Sequence, residues 1–356
     1  MSSRSKKAAT PATIKDVARE LGMSVATVSR ALSRPELLRP ETRTRVMSVV
    51  EHLGYRPNLM ARGLRQGQSR AILFVAPNLS PFFLEVFAGA EAATRDSHFA
   101  LLFGNSAGDA EREQHYFDQV ASGRADGIIL LTGAAPQAYA TGARTLPPLV
   151  TVLERLPGVS VPMVHTDHRA GAIEAVRHLI ELGHRRIAHI TGLRRVPSVQ
   201  RRMEGYRGTL DAAGLKVPAE FTQTGDFTMA SGTTAMTQLM TLAHPPTAVF
   251  CDNDEMAYGA IRAAGKLGLS VPGDVSVVGF DDQNLAAFYN PPLTTVNIPR
   301  HELGRRAAQE LIDQLAGRDV ARELVLPTRL VVRESTAPPP ARSPARPAGR
   351  ARKTRR

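Results

Sequence analysis

The spacing of apolar positions changes character once along this chain, near residue 70. Before it, from Ile14 to Leu53, they recur at helical intervals. Ile14, Val17, Ala18 and Leu21 share one face of a helix over 14–21, a second helix is expected over 25–32, and Val46, Val49, Val50 and Leu53 form the stripe of a third over 40–53. The run ends carry matching punctuation. Thr13 with Asp16 reads as a capping box, Ser24 as a second N-cap, Pro40 as a first-turn proline, and Gly22 and Gly54 as stops. Arg39 precedes Pro40 where a Ser, Thr or Asp would cap better, a loss of about 0.5–1 kcal/mol. Only Gly22-Met23-Ser24 separates the first two helices, the tight turn of a helix-turn-helix.

After residue 70 strands alternate with helices. Strands are expected at Ile72–Ala76, Ala100–Phe103, Gly127–Leu131, Leu149–Leu153, Met163–His165, Ile187–Ile190, Ala248–Cys251 and Val275–Phe280. Helices are expected at Phe83–Arg95, Glu111–Ser122, Ala170–Leu182, Arg202–Ala213, Ala230–Leu242 and Glu255–Leu267. Such alternation predicts an α/β body of βαβ units, its parallel sheets covered by helices on both faces. Ligands in such sheets bind beyond the carboxyl ends of the strands.

Charge divides the 356 residues differently from hydropathy. Residues 1–65 hold 13 Lys/Arg against 5 Asp/Glu, and residues 337–356 hold 7 against none. The remaining 25 bases and 28 acids leave the middle slightly acidic. Positive charge confined to the ends is an electrostatic footprint for a polyanion, and the middle is not such a surface. The C-terminal run, rich in Pro and Arg, cannot bury a core and is expected to be an unstructured tail that at most adds non-specific DNA affinity. No apolar run is long enough for a membrane helix, no secretory signal opens the chain, and a single cysteine, Cys251, excludes a disulfide framework. A soluble chain residing in the cytoplasm, with no membrane partner, is expected.

The polar face of the second helix suits DNA. Ser24, Thr27 and Ser29 offer hydroxyls to phosphates, Arg30 can fork onto guanine, and Val25 and Ala26 can meet a thymine methyl. Thr13 joins them as a further DNA-contacting residue. A surface helix of a small bundle would look similar. In the body, Asp252-Asn253-Asp254 and Asp281-Asp282 follow strands, as ligand-binding acids or as helix caps. His165-Thr166-Asp167-His168 is read as structural rather than metal-binding. There is no EF-hand spacing, no GxxxxGK[ST] loop, no GxSxG and no HExxH, so no metal, cofactor or catalytic set is expected and the chain is not read as an enzyme.

Several stretches together resemble the LacI/GalR family of transcriptional regulators. Thr-Ile-Lys-Asp-Val-Ala (13–18), Val-Ala-Thr-Val-Ser-Arg-Ala-Leu (25–32), Glu-Thr-Arg-Thr-Arg-Val (41–46) and Gly-Tyr-Arg-Pro-Asn…Ala-Arg…Leu (54–64) are similar to its head and hinge. Gly-His-Arg-Arg-Ile-Ala (183–188), Arg-Met-Glu-Gly-Tyr (202–206), residues 251–260, 271–282 and Pro-Leu-Thr-Thr-Val (292–296) are similar to its effector core, and 225–228 and 244–251 to its cytidine-repressor branch. The resemblance implies a flexible basic arm (1–12), a helix-turn-helix domain (13–54), a hinge helix and linker (55–69), a periplasmic-binding-protein-like body (70–336) and a disordered basic tail (337–356). Within the body it implies two interleaved subdomains, 70–167 with 298–327 and 168–297 with 328–336. It further implies a hinge helix that orders on DNA, Leu64 wedging into the central minor-groove step and Asn58 and Ala61 beside it. Partners follow: double-stranded DNA carrying a pseudo-palindromic operator, a second copy of the chain as a homodimer, and a small-molecule effector that is a sugar, a sugar derivative or a nucleoside. By match, Arg202, Phe227, Asn253 and Asp281 line the effector cleft, joined by Phe82 and Phe83. The turn before those two phenylalanines is one residue shorter than usual, and Ile298 stands where several relatives carry glutamine. Arg194, Arg195, Arg201 and Arg202 crowd one region, either as an anion site or as a solvated face. A periplasmic-type solute receptor would share the body but would carry a signal peptide and no basic head.

Overall fold

The computed structural model describes residues 12–33, 39–55, 68–95 and 97–341. The chain divides into two compact units, a head up to Ser69 and a body from Arg70. Asn58, Ala61 and Leu64, and with them the expected hinge helix, lie outside the described residues.

The head packs α1 (Ile14–Leu21), α2 (Val25–Ser33) and α3 (Pro40–His52) around one small core. Val17, Ala18, Leu21, Val28, Ala31, Val46 and Val50 are buried in it, with Ile14, Met23, Leu32, Val49, Leu53 and Tyr55 against its edges. Burying such side chains contributes about 1.5–3 kcal/mol each, the main force holding so small a bundle. Thr13 donates both its N–H (2.9 Å) and its hydroxyl (2.7 Å) to Asp16. Gly22 turns left-handed at φ 64° to end α1, and the Ser24 hydroxyl accepts the Thr27 N–H at 3.1 Å to open α2. Arg39 caps α3 without a side-chain bond, as its residue type dictates.

The body contains two six-stranded sheets among the described residues. The first takes β1 (Ala71–Ala76), β2 (Ala100–Asn105), β3 (Gly127–Leu130), β4 (Leu149–Val152), β5 (Met163–Thr166) and β11 (Glu323–Leu326), in the order β11-β5-β4-β3-β1-β2, all parallel. The second takes β6 (Ile187–Thr191), β7 (Thr222–Thr224), β8 (Ala248–Cys251), β9 (Ser276–Asp281), β10 (Thr294–Asn297) and β12 (Arg329–Val331), in the order β12-β10-β9-β8-β6-β7. It is parallel except where β12 runs against β10. Around the sheets lie α4 (Pro81–Thr94), α5 (Ala110–Ala121), α6 (Gln137–Ala140), α7 (His168–Glu181), α8 (Pro197–Ala212), α9 (Met229–Met240), α10 (Asp254–Lys266) and α11 (Arg300–Leu315). Strands such as β3, β4, β8 and β9 are buried along their whole length, which is why they read as unbroken apolar runs.

The chain passes between the sheets three times: after β5, after β10 and between β11 and β12. The short link from Leu326 to Arg329 joins the carboxyl ends of the two sheets, since Leu326 pairs with Thr166 at the end of β5 and Arg329 with Asn297 at the end of β10. Four strands and two helices were not among those expected: β7, β10, β11, β12, the one-turn α6 and α11. The ordered chain also runs past residue 336, where the tail was expected to begin. Ser335 donates to the Val277 carbonyl at 2.6 Å, and the Ala337 carbonyl accepts from His184 Nε2 at 2.9 Å. Backbone bonds to the second sheet hold this segment, and residues 342–356 lie outside the described residues.

Candidate functional site

Two surfaces gather the residues singled out above. On the head, α2 turns Val28 and Ala31 into the core, which leaves Val25, Ala26, Thr27 and Arg30 exposed along the opposite side and Ser29 half-buried. Ser24 and Thr27 share a hydroxyl–hydroxyl bond of 2.8 Å, so each keeps capacity for one further partner. Thr13 is exposed too, but its hydroxyl proton is committed to Asp16, which leaves only lone pairs for a partner.

On the body, the carboxyl ends of β8 and β9 carry the charged cluster. Asp252, the first residue after β8, is fully buried. Its carboxylate accepts His189 Nε2 at 2.8 Å and the Gly192 N–H at 2.7 Å. Burial alone would raise its pKa, but Arg202, His189 and the Gly192 amide outweigh that and hold it below the usual range. Arg202, one face of α8 away, brings Nε to 3.3 Å from Asp252 without hydrogen-bond alignment and lays its guanidinium 4.9 Å from the Phe280 ring centre.

Asp281 ends β9 with its backbone at φ 113°, a conformation a non-glycine residue adopts only when its surroundings enforce it. The enforcement comes from Arg300, which donates to the carbonyls of Asp281 (2.6 Å) and Asp282 (3.0 Å). The Asp282 carboxylate in turn pairs with Arg333 at 2.7 Å and accepts from Asn297 at 2.9 Å. Burial pushes the Asp281 carboxyl up to about 7 against the pull of Arg202 and Arg300. Asp254 lies deeper, accepting from Thr295 (2.5 Å) and the Gln283 N–H (2.6 Å), and burial with the nearby Asp281 charge raises it as well.

Asn253 takes the helix-cap part that the sequence left open beside a ligand role. Its side-chain oxygen caps α10 through the Met256 N–H (2.9 Å), and its nitrogen donates to the Phe227 carbonyl (3.0 Å). It thereby fixes Phe227, which sits half-buried at φ 70° with its ring over Gly192; a Cβ there would come within 2.2 Å of the ring. Arg202, Phe227, Asn253 and Asp281 thus gather at one end of the second sheet. Phe82 and Phe83 stand on the first-sheet side, in the first turn of α4, half-buried and edge-to-face at 5.2 Å. Of the crowded arginines only Arg202 is buried: Arg194 bonds Thr224, Arg201 pairs with Glu204, and both are exposed with Arg195. This is a solvated face rather than an anion site.

Sequence reasoning missed the pair that joins the two sheets. Glu154, just past β4 of the first sheet, accepts from the Ser198 hydroxyl (2.5 Å) and N–H (3.3 Å) at the start of α8, beside the second. Burial raises its pKa against Ser198 and Arg202. Forty-four positions separate the two residues, so no local pattern could have paired them. Cavities of about 300 Å³ beside Lys216 and His244 and about 490 Å³ beside Tyr139 and Gly158 lie away from this cluster. Among the described residues no group of three or more His, Cys, Asp or Glu is placed to hold a metal, and no helix is long and apolar enough to cross a membrane.

Residues 13–58 match the model of the bacterial regulatory proteins of the lacI family, and 176–336 that of a periplasmic binding protein-like domain. The HTH-type transcriptional repressor CytR of Escherichia coli (strain K12) is 39% identical over 336 residues, 94% of this chain and 98% of that one. A lac repressor dimer bound to operator and the anti-inducer ONPF is similar in structure, with a TM-score of 0.83 at 28% identity, covering 92% of this chain and 100% of that one. The complex of the transcriptional regulator CelR with cellobiose gives 0.68 at 32% identity, covering 91% and 99%.

Proposed function

The chain belongs to the LacI family of bacterial regulatory proteins and is a DNA-binding transcriptional regulator, and on that premise we propose how its parts divide the work. The head reads an operator through α2, with Arg30 forking onto a guanine, Val25 and Ala26 meeting base edges, Ser24, Thr27 and Ser29 placing the helix on phosphates, and Thr13, its own proton given to Asp16, contributing a hydroxyl acceptor to the contact. Two copies of the chain act together on a pseudo-palindromic site, with Asn58, Ala61 and Leu64 of each contacting its centre. The body binds an uncharged metabolite of the sugar or nucleoside class at the carboxyl ends of its strands, where Arg202, Phe227 and Asp281 meet, with Asn253 holding Phe227 and with Phe82 and Phe83 facing from the first sheet. Binding shifts the balance between two arrangements of the subdomains, and operator affinity follows through differential affinity alone.

The observation that carries the DNA reading is the division of α2. One side is spent on the head core and the other presents small groups ending in an arginine, as a helix entering a major groove requires. Selection of bound duplexes from a random library by the purified full-length protein is the test. A two-fold symmetric consensus is expected; recovery of unrelated sequences, with and without nucleosides or sugars present, would contradict it.

A further inference from the structure

The end of the second sheet holds more buried polar atoms than its own walls satisfy. Among the described residues seven side-chain atoms are buried without a hydrogen-bond partner, and four of them are Thr166 Oγ1, both ring nitrogens of His168 and Arg202 Nε; the others are His189 Nδ1, Tyr258 OH and Arg300 Nε. An unmet buried polar group costs about 1–3 kcal/mol, so folded proteins keep few of them. Here those four fall together. Thr166 ends β5 and His168 begins α7, so both sit at the first passage between the sheets. The His168 ring stacks on Phe280 with centroids 5.9 Å apart, and the same Phe280 ring lies under the Arg202 guanidinium.

The surrounding charge restricts what could meet these atoms. The one buried cation facing them, Arg202, is already matched by Asp252, while Glu154, Asp254 and Asp281 add further buried carboxyls. Arg300 is engaged with the carbonyls of Asp281 and Asp282. An anionic group would find no unmatched cation, and the carboxyls, which burial presses toward their neutral form, supply no positive charge to offset it. His168 is itself held neutral: burial, then the charges of Arg202 and His165, press its pKa well below the usual histidine range. A neutral imidazole offers one donor and one acceptor.

The geometry points to His168, with Thr166 and Arg202, as the edge that reads an uncharged ligand presenting a hydrogen-bond donor beside an acceptor, and that rejects the phosphorylated form of the same ligand. This rests on the effector reading above and adds to it a residue and a charge rule. A vicinal diol of a sugar and the edge of a nucleobase where an amino group adjoins a ring nitrogen share that chemistry.

Calorimetric titration of the full-length protein with cytidine, adenosine, their free bases, D-ribose, cellobiose and the two nucleoside 5′-monophosphates tests it. An uncharged probe binds and its monophosphate binds roughly a hundredfold more weakly; binding of ribose or cellobiose assigns the diol, binding of a free base the amino and ring-nitrogen edge. His168→Leu weakens that binding roughly tenfold, whereas His168→Gln, which keeps a donor and an acceptor, restores most of it. Equal affinity for nucleoside and monophosphate, unchanged binding in His168→Leu, or no binding by any probe at millimolar concentration overturns the assignment. A ligand-free measurement stands beside these. Removing an unmet polar group raises the Tm of His168→Leu by about 2–4 °C, and a fall would mark His168 as merely structural and overturn the proposal. A probe that binds through His168 yet leaves operator affinity unchanged would instead defeat the effector reading and spare this one.

Discussion

Asp281 holds its proton unusually tightly, and this has a consequence for stability. Burial lifts its pKa to about 7 in the folded chain, while in the unfolded chain it titrates near 4. Between those values the folded state binds the extra proton, so stability falls as pH rises through that window, and the loss is complete above it. Asp254, raised by burial and by the charge of Asp281, moves in the same direction. In Asp281→Asn the drop in unfolding temperature between pH 5 and pH 8 should therefore shrink, as calorimetry at the two pH values would record; an unaltered drop would place the titration elsewhere. Arg30 carries the second prediction at this scale. A bidentate contact to guanine discriminates by about 1–3 kcal/mol, so Arg30→Ala should bring operator affinity down toward that for random DNA, measured by fluorescence anisotropy on both. Equal losses on the two would mean Arg30 serves only phosphates.

Two helix crossings in the body are closed by glycines. A Cβ on Gly304 of α11 would lie 1.8 Å from the Val86 carbonyl oxygen of α4, and one on Gly89 of α4 would lie 1.8 Å from the His301 carbonyl oxygen. Gly232 of α9 and Gly259 of α10 meet backbone at 2.2 and 2.1 Å in the same manner. In an open helix Gly→Ala stabilises by about 1 kcal/mol. Gly304→Ala should instead destabilise by about 1–3 kcal/mol, read as a lower urea midpoint, because neither backbone can withdraw without unpacking its sheet. Helix α11 also shows where sequence reading stops. Its buried stripe is Leu303, Ala307, Ala308 and Leu311, half of it alanine, with Gly304 at the crossing and Arg300 buried at the start, and so too faint to stand out. Strands β7, β11 and β12 are three or four residues long, half-exposed and at sheet edges, without the continuous apolar run that made β1 or β9 plain. The head was legible almost residue by residue because its caps and stripes are local. Of the candidate site, Asn253 and Asp281 were marked by their place after apolar strands, while Arg202 and Phe227 came only through motif resemblance. Glu154, Ser198, Thr166 and His168 depend on which strand ends face one another, which no local pattern encodes.

Over the whole molecule the excess of positive charge lies at the ends, because the 25 bases of the middle are offset by 28 acids. Removing residues 342–356 takes away seven cations while leaving Ser335 and Ala337 bonded to the second sheet. The salt dependence of non-specific binding should become shallower, by up to about 0.9 in logarithmic slope for each cation that had touched a phosphate. An identical slope in the truncated protein would mean that none of the seven reaches DNA. Only Pro327 and Thr328 separate β11 from β12, and those strands are the outer edges of different sheets. Two residues span less than about 12 Å even when fully drawn out. The sheets cannot slide past or part from each other along that side, so any rearrangement must swing about it as a door swings on its pin. The far side of the cleft then travels furthest, and a ligand held there has the longest lever on the rest of the chain.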